Sequence, residues 1–251
     1  KGGKRLRGFM VMQSAHLHDI PSDKSIWPAT GIEALHAYSL VHDDLPCMDN
    51  DDLRRGEPTV HIKWDETTAV LAGDALQTLA FELVGKPEVG SGDVRADLSL
   101  SLARAAGAKG MVLGQALDIA ASSANQALTL DEITTLQRGK TGALIEWSAT
   151  AGARLAGADI TPLQTYSLAL GLAFQIADDV LDITGDATTI GKATGKDANA
   201  GKATFVSLLG LDEAKRRAQS LVTAACDALQ PYGANADILR ETARFVIARK
   251  K

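Results

Sequence analysis

Helical periodicity runs through almost every long segment of this chain, and no strand pattern competes with it. Apolar residues return at three- and four-residue spacing. Ala and Leu are abundant, aromatic residues make up only 4%, and alternating β-branched runs are scarce. The spacing predicts helices over roughly 5–17, 27–45, 69–84, 93–121, 131–157, 162–184, 204–229 and 235–249. Thr129 or Asp131 ahead of Glu132, and Thr161 ahead of Pro162, read as helix starts. There is no strand–helix alternation and no repeat of solenoid period. With 251 residues, 45% of them hydrophobic, the chain can bury a sizeable core. The expectation is an all-α, single-domain bundle of packed helices over residues 1–251.

A net charge of −5 makes the chain a poor general binder of nucleic acid or of an anionic membrane. An anionic ligand must therefore be held locally, by clustered Lys and Arg or by metal ions. The longest uncharged stretch, Ile160 to Ala177, contains Pro162, Gln164, Ser167 and Gln175 and is flanked by Asp159 and Asp178. It reads as a buried core helix rather than as a membrane span, which needs roughly 20 mainly apolar residues. Cys47 and Cys226 lie far apart with no CxxC pair, which argues against a disulfide framework or zinc ribbon and fits a reducing cytoplasm. The chain opens Lys1-Gly2-Gly3-Lys4, without an initiator Met or signal-peptide pattern, and reads as lacking its natural N-terminal segment.

Two polar segments interrupt the helices, Pro46 to Glu66 and the Gly-rich Gly185 to Lys202. Each follows an apolar helix that ends in aspartates. The first cluster holds Asp43, Asp44, Asp49, Asp51 and Asp52; the second holds Asp178, Asp179 and Asp182. Asp178 and Asp182, four apart, share a helix face, where like charges repel. Pro46 should break the first helix and swing Asp49 round toward Asp43. A hard divalent cation resolves such crowding, because Mg²⁺ binds through one or two carboxylates plus substrate phosphates. Cations follow each cluster: Arg54 and Arg55 after the first, Lys192 and Lys202 after the second. Carboxylates for metal with cations for phosphate suit a diphosphate leaving group.

At these residues the chain resembles the trans-prenyl diphosphate synthases, the polyprenyl synthetase family. DDLPCMDNDDLRRG (Asp43 to Gly56) resembles the family's first aspartate motif and DDVLD (Asp178 to Asp182) its second. GGKRLRG, GDAL, GQALD (Gly114 to Asp118), GKTGAL (Gly139 to Leu144) and FQIADD also match, in the family's order and over essentially the whole chain. The resemblance implies a large helical bundle of the isoprenoid synthase type, usually a homodimer, with the two motifs facing each other across a central active-site cavity. It implies Asp43 and Asp49 as ligands of two Mg²⁺ ions and Asp178 of a third, with Mn²⁺ as an alternative ion. Asp44, Asp179 and Asp182 become outer carboxylates. Arg54, Lys140 and Lys202, with Lys192 beside them, would hold the allylic diphosphate. Lys4, Arg7, His36 and Arg55 would hold isopentenyl diphosphate, and Lys140, Thr141 and Gln175 would face the carbon skeleton. The implied reaction ionises the allylic diphosphate, adds isopentenyl diphosphate head to tail and eliminates a proton.

In the family, side chains just before the first motif form the floor under the growing product. Here these are Tyr38 and Ser39. An aromatic at Tyr38 implies a fifteen-carbon product, farnesyl diphosphate, whereas CMDND also resembles geranylgeranyl synthases. Gly8 stands where many relatives have Pro. Rival readings fit less well. A di-iron bundle needs two Glu-x-x-His pairs, and only Glu33/His36 is one. A phosphate-binding loop needs Gly five residues before Gly139, where Thr134 stands. A terpene cyclase needs no isopentenyl site, and inactive regulatory subunits commonly lose aspartates that are complete here. His16, His18 and His61 read as ordinary polar residues, and Trp27, Trp64 and Trp147 as packing residues.

Overall fold

The computed structural model describes residues 3–122, 128–184 and 204–248. The second polar segment, and with it Lys192 and Lys202, lies outside the described residues. The structure groups into two compact units, one of Lys1–Leu100 with Ala151–Ala158 and the other of Ser101–Thr150 with Asp159–Lys251.

The first unit is built from α1 (Leu6–His16), α2 (Ser22–Asp43), the one-turn α3 (Val60–Lys63), α4 (Glu66–Val84), the start of α5 (Gly92–Ala106) and the end of α8 (Ala143–Ala156). The expected helix over 27–45 begins earlier, at Ser22. Pro28, which would mark a start if it stood in the first turn, instead sits inside the helix. The start of α4 is set by Asp65, whose carboxylate accepts from the Thr68 N–H at 2.6 Å. Met10, Val11, Ile32, Leu35, Val84 and Leu98 have no exposed surface and form the core. Residues 151–158 dock against α1. Gly152 donates its N–H to Ser14 Oγ at 3.0 Å, and a Cβ there would come within 2.1 Å of the Ser14 backbone. The polar segment after α2 is not wholly irregular. Leu53–Arg54 and Glu57–Pro58 pair as a two-stranded antiparallel ribbon, closed by Arg55 (φ 56°) and Gly56 (φ 79°) in the left-handed pair that a two-residue hairpin loop favours.

The second unit holds the rest of α5 and α8, with α6 (Met111–Ser122), α7 (Leu130–Gln137), α9 (Thr161–Thr184), α10 (Phe205–Leu209), α11 (Leu211–Ala228) and α12 (Asp237–Ala248). Thr129 starts α7 with a reciprocal capping box to Glu132. At α9 the cap is Asp159, which accepts from both the N–H and the hydroxyl of Thr161. Two expected helices are each broken at glycine: 93–121 at Gly107 to Gly110, and 204–229 at Gly210 (φ 80°). The expected helix over 131–157 runs through, but Arg138–Gly142 widen into a π-turn. α9 packs along α11, and Ile133, Ile176, Phe205, Val206, Ala214 and Ala218 form a shared cluster. The buried Tyr166 hydroxyl donates to the Leu239 carbonyl at 2.9 Å. Among the described residues, no helix is long and apolar enough to cross a membrane.

Candidate active site

The first aspartate motif lies where α2 stops. Pro46 cannot continue the helix, so the chain folds into a turn in which Leu45 O accepts from Met48 N at 2.9 Å and from Asn50 N at 3.1 Å. Asp49 N donates to Asp43 O at 2.9 Å, so the turn returns Asp49 to the residue where the helix ended. The expected approach of these two aspartates therefore occurs. Asn50 takes a left-handed conformation (φ 52°) that asparagine and aspartate tolerate.

Asp44 is buried, at 3% exposure, and the Arg54 guanidinium neutralises it. Arg54 Nε donates to Oδ1 at 2.7 Å and to Oδ2 at 2.9 Å. The ribbon thus carries Arg54 back onto the motif that precedes it. Burial alone would lower the pKa of Arg54, but the hydrogen bond and charge of Asp44, with Asp43 and Asp51, raise it.

A second group gathers around His36. Burial first, and then the charges of Arg7, Arg55 and Arg54, press its pKa down to about 3, so the imidazole is neutral. Burial also pulls Arg7 down to about 10, with Glu33 opposing and Arg55 adding to the shift. Arg7 Nε is buried without a hydrogen-bond partner. Three guanidinium groups whose charges reach one neutral imidazole, with a buried donor of Arg7 unmet, suit an anion. Lys4 was expected to share a helical face with Arg7. It instead precedes α1, which starts at Leu6 after Arg5 in a left-handed conformation, and it is exposed.

Tyr38 is buried, stacks edge-on against His42 with ring centroids 5.5 Å apart, and hydrogen-bonds Gln77. Burial raises the pKa of its hydroxyl. Ser39 is bonded back to its own helix at the His36 carbonyl. His42 Nε2 donates to the Val70 carbonyl at 2.9 Å and so ties α2 to α4. His42 was not singled out from the sequence, although it stands next to Asp43.

In the second unit, Lys140 and Thr141 lie in the π-turn. Lys140 Nζ bonds Asp118 Oδ2 at 2.6 Å. A Cβ on Gly114 would fall 2.0 Å from Lys140 N, so the GQALD and GKTGAL segments meet backbone to backbone. Gln175 donates Nε2–H to Gln137 Oε1 at 2.6 Å. The second aspartate motif closes α9, with Asp178 and Asp182 one turn apart and both half-buried. Asp179 Oδ2 accepts from Phe205 N at 2.6 Å, which fixes the start of α10 to the motif. Asp118 and Gln137 were not read as site residues. Their partners are 22 and 38 residues away in sequence; the signal that could have found Asp118 is the GQALD segment that it closes.

Among the described residues, no three or more His, Cys, Asp or Glu side chains gather into a group that would hold a metal by themselves. The donors that the two motifs offer are carboxylates. That chemistry fits a hard cation that takes one or two protein oxygens and completes its shell with water and phosphate.

Comparison with known proteins identifies the family. The family model described as polyprenyl synthetase matches residues 1–233. The chain is 43% identical to the farnesyl diphosphate synthase of Escherichia coli (strain K12), across 100% of this chain and 86% of that one. Among solved structures, the FPP/GFPP synthase of Zymomonas mobilis superposes with a TM-score of 0.90 at 45% identity, covering 98% of this chain and 84% of that one. The geranyltransferase of Helicobacter pylori, solved with magnesium and isoprenyl diphosphate, gives a TM-score of 0.82 at 38% identity, covering 98% and 83%.

Proposed function

Because the chain belongs to the polyprenyl synthetase family, with its all-α isoprenoid synthase fold, we propose that it is a prenyltransferase that makes farnesyl diphosphate. It would join isopentenyl diphosphate head to tail to dimethylallyl and then geranyl diphosphate, with residues 1–251 acting as one catalytic domain. The observation that carries this reading is the cationic group of Arg7, Arg54 and Arg55 around neutral His36, next to the turn that brings Asp49 to Asp43.

Asp43 and Asp49 on one motif, and Asp178 on the other, are the residues proposed to hold Mg²⁺, three ions in all when substrate is bound. Bound there, Mg²⁺ would draw negative charge from the departing diphosphate. Arg54, fixed by Asp44, presents a guanidinium to the same leaving group, and Lys140 adds an ammonium. Lys192 and Lys202 are assigned to this diphosphate by family resemblance. Lys4, Arg7, His36 and Arg55 hold isopentenyl diphosphate, with His36 donating an uncharged N–H. Thr141 and Gln175 turn oxygen dipoles toward the allylic carbons. The bond forms between the allylic carbon and the isopentenyl double bond, and the released diphosphate takes the proton that leaves. No protein nucleophile is needed.

Tyr38 and Ser39 are proposed as the floor that stops the product at fifteen carbons. A twenty-carbon or longer product is the second reading. It is favoured by the CMDND wording of the first motif and by the FPP/GFPP name of the Zymomonas mobilis relative. A homodimer is proposed on the apolar surface that single helices expose, Val70, Leu71 and Leu79 on α4 and Val112, Leu113, Leu117 and Ile119 on α6. The two free cysteines suit a cytoplasmic enzyme.

The test is a product assay with Mg²⁺, isopentenyl diphosphate and dimethylallyl diphosphate, resolved by carbon number. A fifteen-carbon diphosphate is expected, and chelation with EDTA should abolish turnover until Mg²⁺ is restored. A twenty-carbon or longer main product would retain the enzyme class and remove the Tyr38 floor. No condensation with any allylic primer would overturn the assignment.

A further inference from the structure

α1 begins without a cap of its own. Arg5 stands at the N-cap in a left-handed conformation, and its side chain makes no capping bond, since a guanidinium has no acceptor to offer. The N–H groups of a first turn find no acceptor inside their own helix. For Gly8 the acceptor comes from α2, where Glu33 Oε1 takes the Gly8 N–H at 2.8 Å. The seat is close: a Cβ on Gly8 would come within 3.1 Å of Glu33 Cγ and 3.0 Å of the Ala29 carbonyl. The bond fixes a negative charge one residue from Arg7, at the positive end of α1. Arg7 is the buried cation whose Nε has no partner, and the charge of Glu33 opposes the effect of burial upon it. Glu33 and His36 are three apart on α2 and share a face. The cationic group thus contains one fixed anion supplied by the protein.

We propose that Glu33 is a built-in counter-ion of this group: it balances Arg7 while the site is empty, and it weakens the hold on a diphosphate once one arrives. This rests on the reading of Arg7, His36 and Arg55 as the isopentenyl diphosphate site given above. A diphosphate and Glu33 are drawn to the same guanidinium and repel each other. The carboxylate is tied to a backbone N–H, so it does not swing away when a second anion enters. It is half-buried, and salt screens it less than it screens a surface charge. Loss of the charge therefore has two effects of opposite sign. The empty protein becomes less stable, because a buried cation loses its balance, and the bound anion is held more tightly. A carboxylate that served only to cap α1 would change stability and leave affinity where it was.

The test is Glu33→Gln, whose amide oxygen still accepts from the Gly8 N–H while the charge is lost. Binding of inorganic pyrophosphate is measured by calorimetry in EDTA, so that no metal-held pyrophosphate contributes, and the thermal midpoint is measured with and without it. The dissociation constant should fall about threefold to tenfold, and the KM for isopentenyl diphosphate should fall with it. The midpoint lost by the empty variant should be recovered at saturating pyrophosphate. An unchanged or weakened affinity for pyrophosphate would overturn the proposal. If the variant is unfolded when empty, pyrophosphate should restore its fold, and failure to do so would equally overturn it. Arg7→Met tests the underlying reading separately, and should weaken pyrophosphate and raise the KM for isopentenyl diphosphate by about tenfold or more. Tighter pyrophosphate binding in Glu33→Gln beside an unmoved KM in Arg7→Met would remove the isopentenyl reading and leave the counter-ion role standing.

Discussion

At the scale of single residues, the burial of charge decides what each substitution does. Asp44 is almost fully enclosed and depends on Arg54. Arg54→Met leaves that carboxylate buried and unpaired, which should cost about 2–3 kcal/mol. The expected reading is a thermal midpoint lower by about 5–10 °C, along with the loss of activity that the proposed role of Arg54 as a diphosphate ligand entails. His36 gives a prediction in pH. Its pKa is near 3 when folded against 6.5 ordinarily, so between these values the unfolded chain binds the extra proton. Its contribution to stability is therefore fully present above about pH 6.5 and is lost as the pH falls toward 3. His36→Asn should flatten the decline in stability between pH 6.5 and 4, by at most about 1.4 kcal/mol per pH unit, as measured by denaturant midpoints. An unchanged slope would mean that the imidazole is not held neutral. Inorganic pyrophosphate should raise the pKa of His36 in an NMR titration, because it offsets the three guanidinium charges. Tyr38→Ala should shift the product toward longer chains, and an unchanged distribution would remove Tyr38 from the floor. The carboxylates from Asp43 to Asp52, with Arg54 and Arg55, were legible because they stand in one tight local run, whereas Arg7 and His36 were picked out only by the family resemblance. Gln137 and His42 were not, because each acts through a partner that only the folded chain brings near.

At the scale of elements, the apolar period identified most of the long helices, because each presents a face to a core. It said little about where helices bend or break. Gly107, Gly110 and Gly210 end helices inside stretches that the period alone reads as continuous. The π-turn at Arg138–Gly142 left no trace in the spacing, since one widened turn keeps both flanks in register with their own cores. The ribbon at Leu53–Pro58 was missed for another reason. With two residues on each strand it is too short for alternation to register, and the positive φ values of Arg55 and Gly56 mark it better than polarity does. The close approach of α6 to the π-turn can be tested directly. Gly114→Ala would press a methyl group into backbone, which cannot rotate aside as a side chain can. The expected cost is about 2–4 kcal/mol in a guanidinium melt, with activity reduced through displacement of Lys140. Stability equal to that of the parent would show that the two segments can separate freely.

At the scale of the whole molecule, the order of the chain does not follow the order of its packing. The first unit takes its opening hundred residues and then, after fifty residues that belong elsewhere, takes Ala151–Ala158 as well. Ala151 and Ala153 are completely buried there, and Gly152 is fastened to Ser14, 138 positions earlier. A fragment of residues 1–100 should therefore lack the cooperative unfolding transition of the full chain, as judged by circular dichroism during a urea titration. A sharp transition in that fragment would show that the late segment is dispensable. The contact between Ser14 and Gly152 also bears on biosynthesis. Translation proceeds from the N-terminus, so α1 emerges from the ribosome long before its partner has been made. α2 follows at once and covers part of α1, but the side of α1 that meets residues 151–158 must wait, unshielded, for more than a hundred further codons. Slow translation through that interval would prolong the exposure, and the chain would be most in need of a chaperone just before residue 152 appears.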